Sequence, residues 1–448
     1  MRAVLLSAVP PSHTSLVSLR AILERELAIA GYDACDSFEL SSTPLAFCQG
    51  EFDCWVKTPG RCRSKDAEQA IVQAVHDADA LVYLDAVRFG GYGHVLKTAI
   101  DRLLCLLEPF FTTRHALTHH EMRYARQQRL FSVGWLPSPN PTLAATFTAL
   151  TDANAVNYLS PTCGAVVVDD EHQDTWASSI RDMLAHPAVP GVSITSRTEL
   201  TSALMDGSAA DTRAWSVDAV HSVSLLIGSP KARGTSASET IARSLAARFT
   251  AHHVETRLHA ATEFVHDRQA SRDAAAELAA SDLFFLVTPL YVDAFPSLTT
   301  HALELIADVR AGTASATPSR FAMLINCGFP EAEQTRTAMR MARHFADEAG
   351  YIWAGGLPLG GGGVVTPETS LDKPAGPVAP LVRALDLAVP SLMTHGAIPV
   401  EATRTIASSM LPDAFYRLFA DLGWRWQAHR HGLAQRELHA RPLDQQTQ

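Results

Sequence analysis

The segment Leu225-Leu226-Ile227-Gly228-Ser229-Pro230-Lys231-Ala232-Arg233-Gly234-Thr235-Ser236 constrains the fold more than any other stretch of this 448-residue chain. A short apolar run breaks into a loop of Gly, Ser, Lys, Arg and Thr, and apolar residues then recur at Ile241, Leu245, Ala246 and Phe249 in helical spacing. The spacing predicts a strand, a loop and a helix. Such a loop suits an anion, because free N–H groups at a helix start and the positive end of its dipole attract phosphate while hydroxyl and basic side chains complete the shell. A plain turn with an N-cap has the same composition, so the loop by itself allows both.

A degenerate copy opens the chain as Val4-Leu5-Leu6-Ser7-Ala8-Val9-Pro10-Pro11-Ser12-His13-Thr14-Ser15, followed by Leu16, Leu19, Ile22, Leu23 and Leu27 on one helical face up to Gly31. This copy lacks the Gly and both basic residues, and Pro10-Pro11 removes two N–H donors. Ser7, Ser12, Thr14 and Ser15 remain as hydroxyl donors, either for a phosphate or as the remnant of a lost site. A second match sets Ala78–Phe89 against Ser281–Val292, each an apolar run of the kind buried on both faces of a parallel sheet. A third sets Leu130–Trp135 against Met323–Phe329, with a Gly-aromatic turn expected at the end of both strands. The copies lie 222 residues apart at the first loop and 203 apart at the second match, so 19 residues are extra in the first half. They fall in a Gly-, Pro- and Cys-rich insertion, about residues 46–65.

Alternating strands and helices, with ligand-type loops after several strands, predict an α/β fold of two tandem domains, each a doubly wound parallel sheet with helices on both faces. A chain of this length exceeds a single core. The expected boundaries are an N-terminal domain at 1–200, an Asp/Ser/Ala-rich linker at 201–218, and a C-terminal domain at 219–448 that ends in a helical tail. A net charge of −10 and the absence of Lys/Arg runs argue against a nucleic-acid partner. No apolar run approaches the ~20 residues of a membrane span; a cytoplasmic protein is expected. Seven Cys in so large a chain do not suggest a disulfide framework.

These residues carry a resemblance. Gly228-Ser229-Pro230-Lys231 with Thr235-Ser236, Thr288-Pro289-Leu290-Tyr291 and Asn326-Cys327-Gly328-Phe329-Pro330-Glu331 resemble the flavodoxin-like NAD(P)H-dependent FMN reductases. The first half is similar to the same superfamily through Cys54–Cys62 and Phe89–Arg102. The resemblance implies FMN, with its phosphate on Ser229, Lys231, Arg233, Gly234, Thr235 and Ser236. It sets the isoalloxazine against Thr288, Pro289, Leu290, Tyr291 and Val292 and against Asn326, Cys327 and Gly328. NADPH or NADH would donate hydride, and a quinone, free flavin or other small molecule would accept it. The chemistry is then the flavin's, and no side-chain acid or base is required. A flavodoxin-like scaffold that has lost one or both flavin sites is the other reading. Relatives of this kind commonly dimerise, which implies a homo-oligomer or a pseudo-dimer within the chain, with Trp55 and Lys57 covering a flavin.

Related flavoproteins carry a Cys-rich loop at the insertion, and some hold an iron–sulfur cluster there. Here Glu51 stands where a further Cys would give the tight spacing, and Cys48, Cys54 and Cys62 fall short of four ligands. A structural or redox-active loop is expected. His115, His119, His120 and Glu121 invite a metal, but His115 and His119 share a face only if the segment is helical, and no third ligand is evident, so no metal site is expected. The Gly355–Gly363 run reads as a loop permitting close approach, Cys327 as a backbone position rather than a nucleophile, and Trp424 and Trp426 as packing residues.

Overall fold

Both strand–loop–helix segments form as the apolar spacing requires. The computed structural model describes residues 1–191, 196–215, 220–265, 267–312, 319–408 and 413–444. The chain divides into two compact units, Met1–Thr195 with Arg417–Gln448, and Ser196–Tyr416.

In chain order the first unit contains β1 (Arg2–Ser7), α1 (Thr14–Ile29), β2 (Ala34–Glu39), α2 (Asp53–Val56), α3 (Glu68–Asp77), β3 (Ala80–Arg88), β4 (Gly91–Tyr92), α4 (His94–Arg102), β5 (Leu107–Arg114), β6 (Leu117–Met122), β7 (Arg129–Leu136), α5 (Pro141–Asn157), β8 (Cys163–Asp169) and α6 (Trp176–Ala185). The second contains α7 (Arg197–Ser208), β9 (Ser222–Ile227), α8 (Ala237–Ala251), β10 (Glu255–Ala260), α9 (Arg268–Ala280), β11 (Leu283–Pro289), α10 (Ser297–Ala311), β12 (Arg320–Asn326), α11 (Arg336–Glu348), β13 (Ile352–Leu359), α12 (Ala379–His395) and α13 (Val400–Ala407). A last helix, α14 (Asp413–Arg430), begins in the second unit and continues into the first.

The main sheets run in the orders β2-β1-β3-β7-β8 and β10-β9-β11-β12-β13, and every pairing along both paths is parallel. This is the flavodoxin-like doubly wound order, in which ligands bind beyond the carboxyl ends of the strands where the winding reverses, at β1/β3 and β9/β11. In the first unit Leu5, Leu19, Leu23, Val82, Leu84, Phe131 and Trp176 share one core; in the second Leu225, Leu245, Phe249, Phe285, Leu324 and Leu385 share another. The 203-residue offset is visible as geometry: Phe89 and Gly90 (φ 53 and 77) turn the chain after β3, and Val292 and Asp293 (φ 46 and 61) turn it after β11.

Several expectations change. Residues 201–208 belong to α7, whose Leu200 and Leu204 are buried, so this part of the expected linker is a packed helix of the second unit; 216–219 lie outside the described residues. The tail is divided rather than wholly C-terminal: α12 and α13 supply Leu381, Leu385, Leu392 and Ile406 to the second core, whereas the chain from Arg417 belongs to the first unit. Arg123, fully buried, explains that attachment by donating to the carbonyls of Cys105, Leu107, Leu438 and Ala440 at 3.2, 3.1, 2.7 and 2.9 Å. Gly328-Phe329 does follow β12, but Gly134-Trp135 lies inside β7, where a Cβ on Gly134 would stand 2.6 Å from Val87 Cγ2. That glycine serves packing, not a turn.

The His-rich segment is not helical. It forms the antiparallel β5–β6 hairpin, turned at His115 and Ala116. His119 Nδ1 meets Asn157 Oδ1 at 2.7 Å, while His120 lies against the rings of Trp55 and Phe111, where burial pulls its pKa down to about 3. Adjacent strand residues face opposite sides, so the two imidazoles diverge.

Candidate cofactor site

The three loops expected to hold a flavin follow β9, β11 and β12, neighbouring strands at the carboxyl edge of one sheet. They are tied to one another. Thr299 Oγ1 donates to the Gly228 carbonyl at 2.6 Å, and a Cβ on Gly228 would lie 2.6 Å from Thr288 Oγ1, so only glycine lets the first loop pass this close to the second. The Leu290 N–H donates to the Asn326 carbonyl at 3.0 Å, joining the second loop to the third. Ser238 Oγ donates to Asn326 Oδ1 at 2.7 Å, joining the start of α8 to the third.

A cleft of about 140 Å³ opens beside the first loop, lined by Ser229, Lys231, Arg233, Ser236, Glu239, Arg243 and His259 among others. Three cations, Lys231, Arg233 and Arg243, line it together with one carboxylate, Glu239. Ser229 Oγ accepts the Lys231 N–H at 3.3 Å, which curls the loop, and Ser236 caps α8 by accepting the Glu239 N–H at 3.1 Å. Arg233 is paired with Glu263, and the Thr235 hydroxyl donates to the Ala232 carbonyl at 2.6 Å.

Glu239 is the residue that sequence reasoning passed over, although Ser236-x-x-Glu239 is the sequence signature of a capping box. Its carboxylate accepts the Gly234 N–H and is held by Arg243 at 2.7 Å. One phosphate-type donor of the loop is therefore already answered by the chain's own anion.

The ring-side residues divide. Tyr291 and Ala294 exchange backbone hydrogen bonds at 2.9 and 3.1 Å around the tight Val292-Asp293 turn. A β-branched residue at positive φ is costly, on the order of 1–3 kcal/mol, and such strain collects at functional sites. The third loop is more closed than expected. The Cys327 N–H donates to the Leu359 carbonyl at 2.8 Å, so it is not available to a ring edge, and the Gly362 N–H donates to the Cys327 carbonyl at 2.7 Å. Burial pushes the Cys327 thiol well up, in keeping with a backbone role. The Gly328 carbonyl accepts the Tyr416 hydroxyl at 2.7 Å. The glycine run accounts for this closure: Gly355 and Gly356 lie in β13, and a Cβ on Gly360 would fall 2.2 Å from the Pro330 carbonyl oxygen.

In the first unit the matching cradle is filled. Glu39, at the end of β2, accepts the N–H groups of Val9 and Ser41 and the Ser7 hydroxyl, each at 3.0 Å, and pairs with Arg20 at 3.0 Å. The Glu39 carboxylate thus answers two backbone N–H donors, a hydroxyl and a guanidinium beside the loop after β1. Trp55 does not reach outward to a flavin. It is buried against Phe52, His120 and Trp424, and its Nε1 donates to the Leu104 carbonyl at 3.1 Å. Trp424 thus packs as expected, whereas Trp426 is 60% exposed.

Fold and strand order define a flavodoxin-like α/β class. No family model matches the chain, and no curated protein matches its sequence. Among solved structures it is similar to an NAD(P)H:quinone oxidoreductase from Methanothermobacter marburgensis (12% identity, 41% of this chain and 97% of that one, TM-score 0.33). It is also similar to a putative quinone reductase from Klebsiella pneumoniae (14% identity, 45% and 95%, TM-score 0.32). A third is an FMN-dependent NADH-azoreductase from Bacillus anthracis in complex with FMN (11% identity, 41% and 96%, TM-score 0.30). Among the described residues no helix is long and apolar enough to cross a membrane.

Proposed function

We propose that the chain is a flavin oxidoreductase that holds one FMN, in its second unit, and passes hydride from NADPH or NADH to a small acceptor of the quinone or azo type. The observation that carries this reading is the cleft between the loop after β9, the start of α8 and the end of β10, lined by Lys231, Arg233 and Arg243 with Glu239, while the loops after β11 and β12 join the same sheet edge from the other side of β9. The phosphate would sit at Lys231 and the α8 N-terminus, where Gly234, Thr235 and Ser236 lie, and the ring would lie against Thr288–Val292. The bound flavin supplies the hydride chemistry; Lys231 and Arg243 supply charge and the strained Tyr291–Ala294 turn a preformed wall. Equal strand order and the paired turns 203 residues apart support reading the units as copies of one fold.

The test is an absorption spectrum of the purified chain with released flavin quantified, repeated for Lys231→Gln. One FMN per chain, held at least ten-fold more weakly by the variant, is the expected result. A protein that stays colourless after incubation with FMN refutes the reading. It would favour a scaffold in which Glu239, like Glu39, serves as the permanent occupant of its cradle.

A further inference from the structure

Cys48, Cys54 and Cys62 line a single small cavity in the first unit, and the buried Arg102 is among the side chains that line it with them. The insertion thus gathers three thiols that are six and eight residues apart in sequence, around a space of about 30 Å³. Phe47, Phe52 and Leu104 make much of the wall. Arg102 is almost wholly buried. It donates through Nη2 to Cys62 Sγ at 3.4 Å, to Asp66 at 2.8 Å and to Glu68 at 3.1 Å, and through Nη1 to the Ala46 carbonyl at 3.1 Å. Its Nε–H, equally buried, meets no acceptor. A buried guanidinium N–H left without an acceptor is costly, and a polar guest beside it would remove that cost.

A space of this size admits a guest of about two heavy atoms, since one water needs roughly 10–15 Å³. The guest must accept a hydrogen bond from a cation and sit among thiols. Among the described residues of the first unit, no three thiol, imidazole or carboxylate ligand atoms come together closely enough to hold one metal ion.

We propose that this cavity is a peroxide-reactive thiol site, in which Cys62 is oxidised and Cys48 or Cys54 closes a disulfide onto it. The thiolate is the reactive form of a cysteine, and Cys62 is the thiol whose sulfur accepts from the Arg102 guanidinium. The thiolate sulfur attacks one oxygen of hydrogen peroxide and the O–O bond breaks. The departing hydroxide takes up the proton that Cys62 released, giving water and a Cys62 sulfenic acid. A neighbouring thiol then attacks that sulfur and a second water leaves, so two thiols and one peroxide become one disulfide and two waters. Glu68 can hold the proton in transit, because burial raises its carboxyl pKa to about 7. Cys48 and Cys54 are poor first nucleophiles, since burial pushes both thiols up, Cys48 to about 12.

Cys35, exposed on β2 and remote in chemistry, is a reference within the same unit. The reduced full-length chain is treated with one equivalent of hydrogen peroxide, sulfenic acid is trapped with dimedone, and products are mapped by peptide mass spectrometry. Cys62 is expected to react at least ten-fold faster than Cys35 and to finish in a disulfide with Cys48 or Cys54. In the Cys48→Ser, Cys54→Ser double variant the dimedone adduct at Cys62 should persist. Arg102→Lys should slow Cys62 at least five-fold without changing Cys35; if that variant melts early, Cys62→Ser, which must abolish disulfide formation, carries the test. Equal rates at Cys62 and Cys35, or a disulfide that omits Cys62, overturn the proposal whatever the flavin content of the protein.

Discussion

Removing the Glu39 side chain tests whether a carboxylate stands in for a ligand in the first unit. Glu39→Ala strips three hydrogen bonds, from the Val9 N–H, the Ser41 N–H and the buried Ser7 hydroxyl, and one ion pair to Arg20. Hydrogen bonds to a charged group are worth about 1.5–3 kcal/mol each; the Glu39 side chain is 19% exposed, and water will answer part of the loss, so about 1 kcal/mol for each donor is appropriate. The ion pair adds little, because Arg20 is one-third exposed and also meets Glu24. The sum is about 3 kcal/mol, or roughly 6–12 °C in the melting temperature of a unit this size. If the pocket is an anion cradle, inorganic phosphate should restore what the carboxylate supplied. At about a hundred times its Kd the recovery is ~2.7 kcal/mol, and sodium chloride at equal ionic strength should give none of it. Thermal unfolding with and without phosphate reads both numbers. A variant less than 1 kcal/mol destabilised, or one that phosphate and chloride affect alike, would refute the assignment.

Further tests address other parts of the chain. Glu239→Ala removes a carboxylate from the cleft beside Lys231 and frees the Gly234 N–H, so FMN and inorganic phosphate should each bind about five- to ten-fold more tightly, seen by flavin fluorescence quenching; weaker binding would show the carboxylate to be part of the site. Glu68 should make the first unit lose stability as pH rises. Its carboxyl titrates near 4.5 when unfolded and is raised to about 7 by burial, so its contribution is complete below about 4.5 and lost as pH climbs through 7. Glu68→Gln should flatten that slope in urea titrations between pH 4.5 and 7, and an unchanged slope would place the proton elsewhere. Arg123→Met leaves four carbonyls without their buried donor and should release the tail, costing roughly 3 kcal/mol or more. Trypsin should then cut within residues 430–441 before the rest of the chain; resistance equal to the parent would show that packing of Leu438 suffices.

Periodicity made much of this fold legible. Leu16, Leu19, Leu23 and Leu27 announce α1, and Ile241, Leu245 and Phe249 announce α8, because a helix buries one face and a regular stripe results. The positions matched at an offset of 203 residues, Phe89-Gly90 and Val292-Asp293, both fall at positive-φ turns after a strand. What escaped was long-range or chemical. His115–Glu121 alternates too little to declare a hairpin; His115 and Ala116 turn the chain, and in the strand that follows His120 lies against Trp55 while Met122 packs on the cluster of Trp55 and Leu438. Arg123 gives no local sign that it will meet carbonyls more than 300 residues later. At the candidate site the loops were legible as Gly, Ser and Thr beside apolar strands, but donor direction was not. Nothing at Cys327 reveals that its N–H faces β13, and nothing at Glu39 reveals that its carboxylate folds back on Val9.

The two cradles show why loop composition is a weak guide to occupancy. Each lies beyond the first strand of its sheet, and each is approached by a carboxylate held by an arginine of the following helix, Glu39 with Arg20 and Glu239 with Arg243. The difference lies in how many donors the carboxylate takes. Glu39 reaches in from β2 and gathers two N–H groups and a hydroxyl, which a departing side chain would have to abandon together. Glu239 sits on α8 and takes one N–H, while Ser229, Lys231 and Ser236 still line the open cleft. Displacing a carboxylate costs more with each donor it satisfies. On the function proposed above, a phosphate would displace less in the second unit than in the first, and the proposal of one flavin per chain rests on this asymmetry.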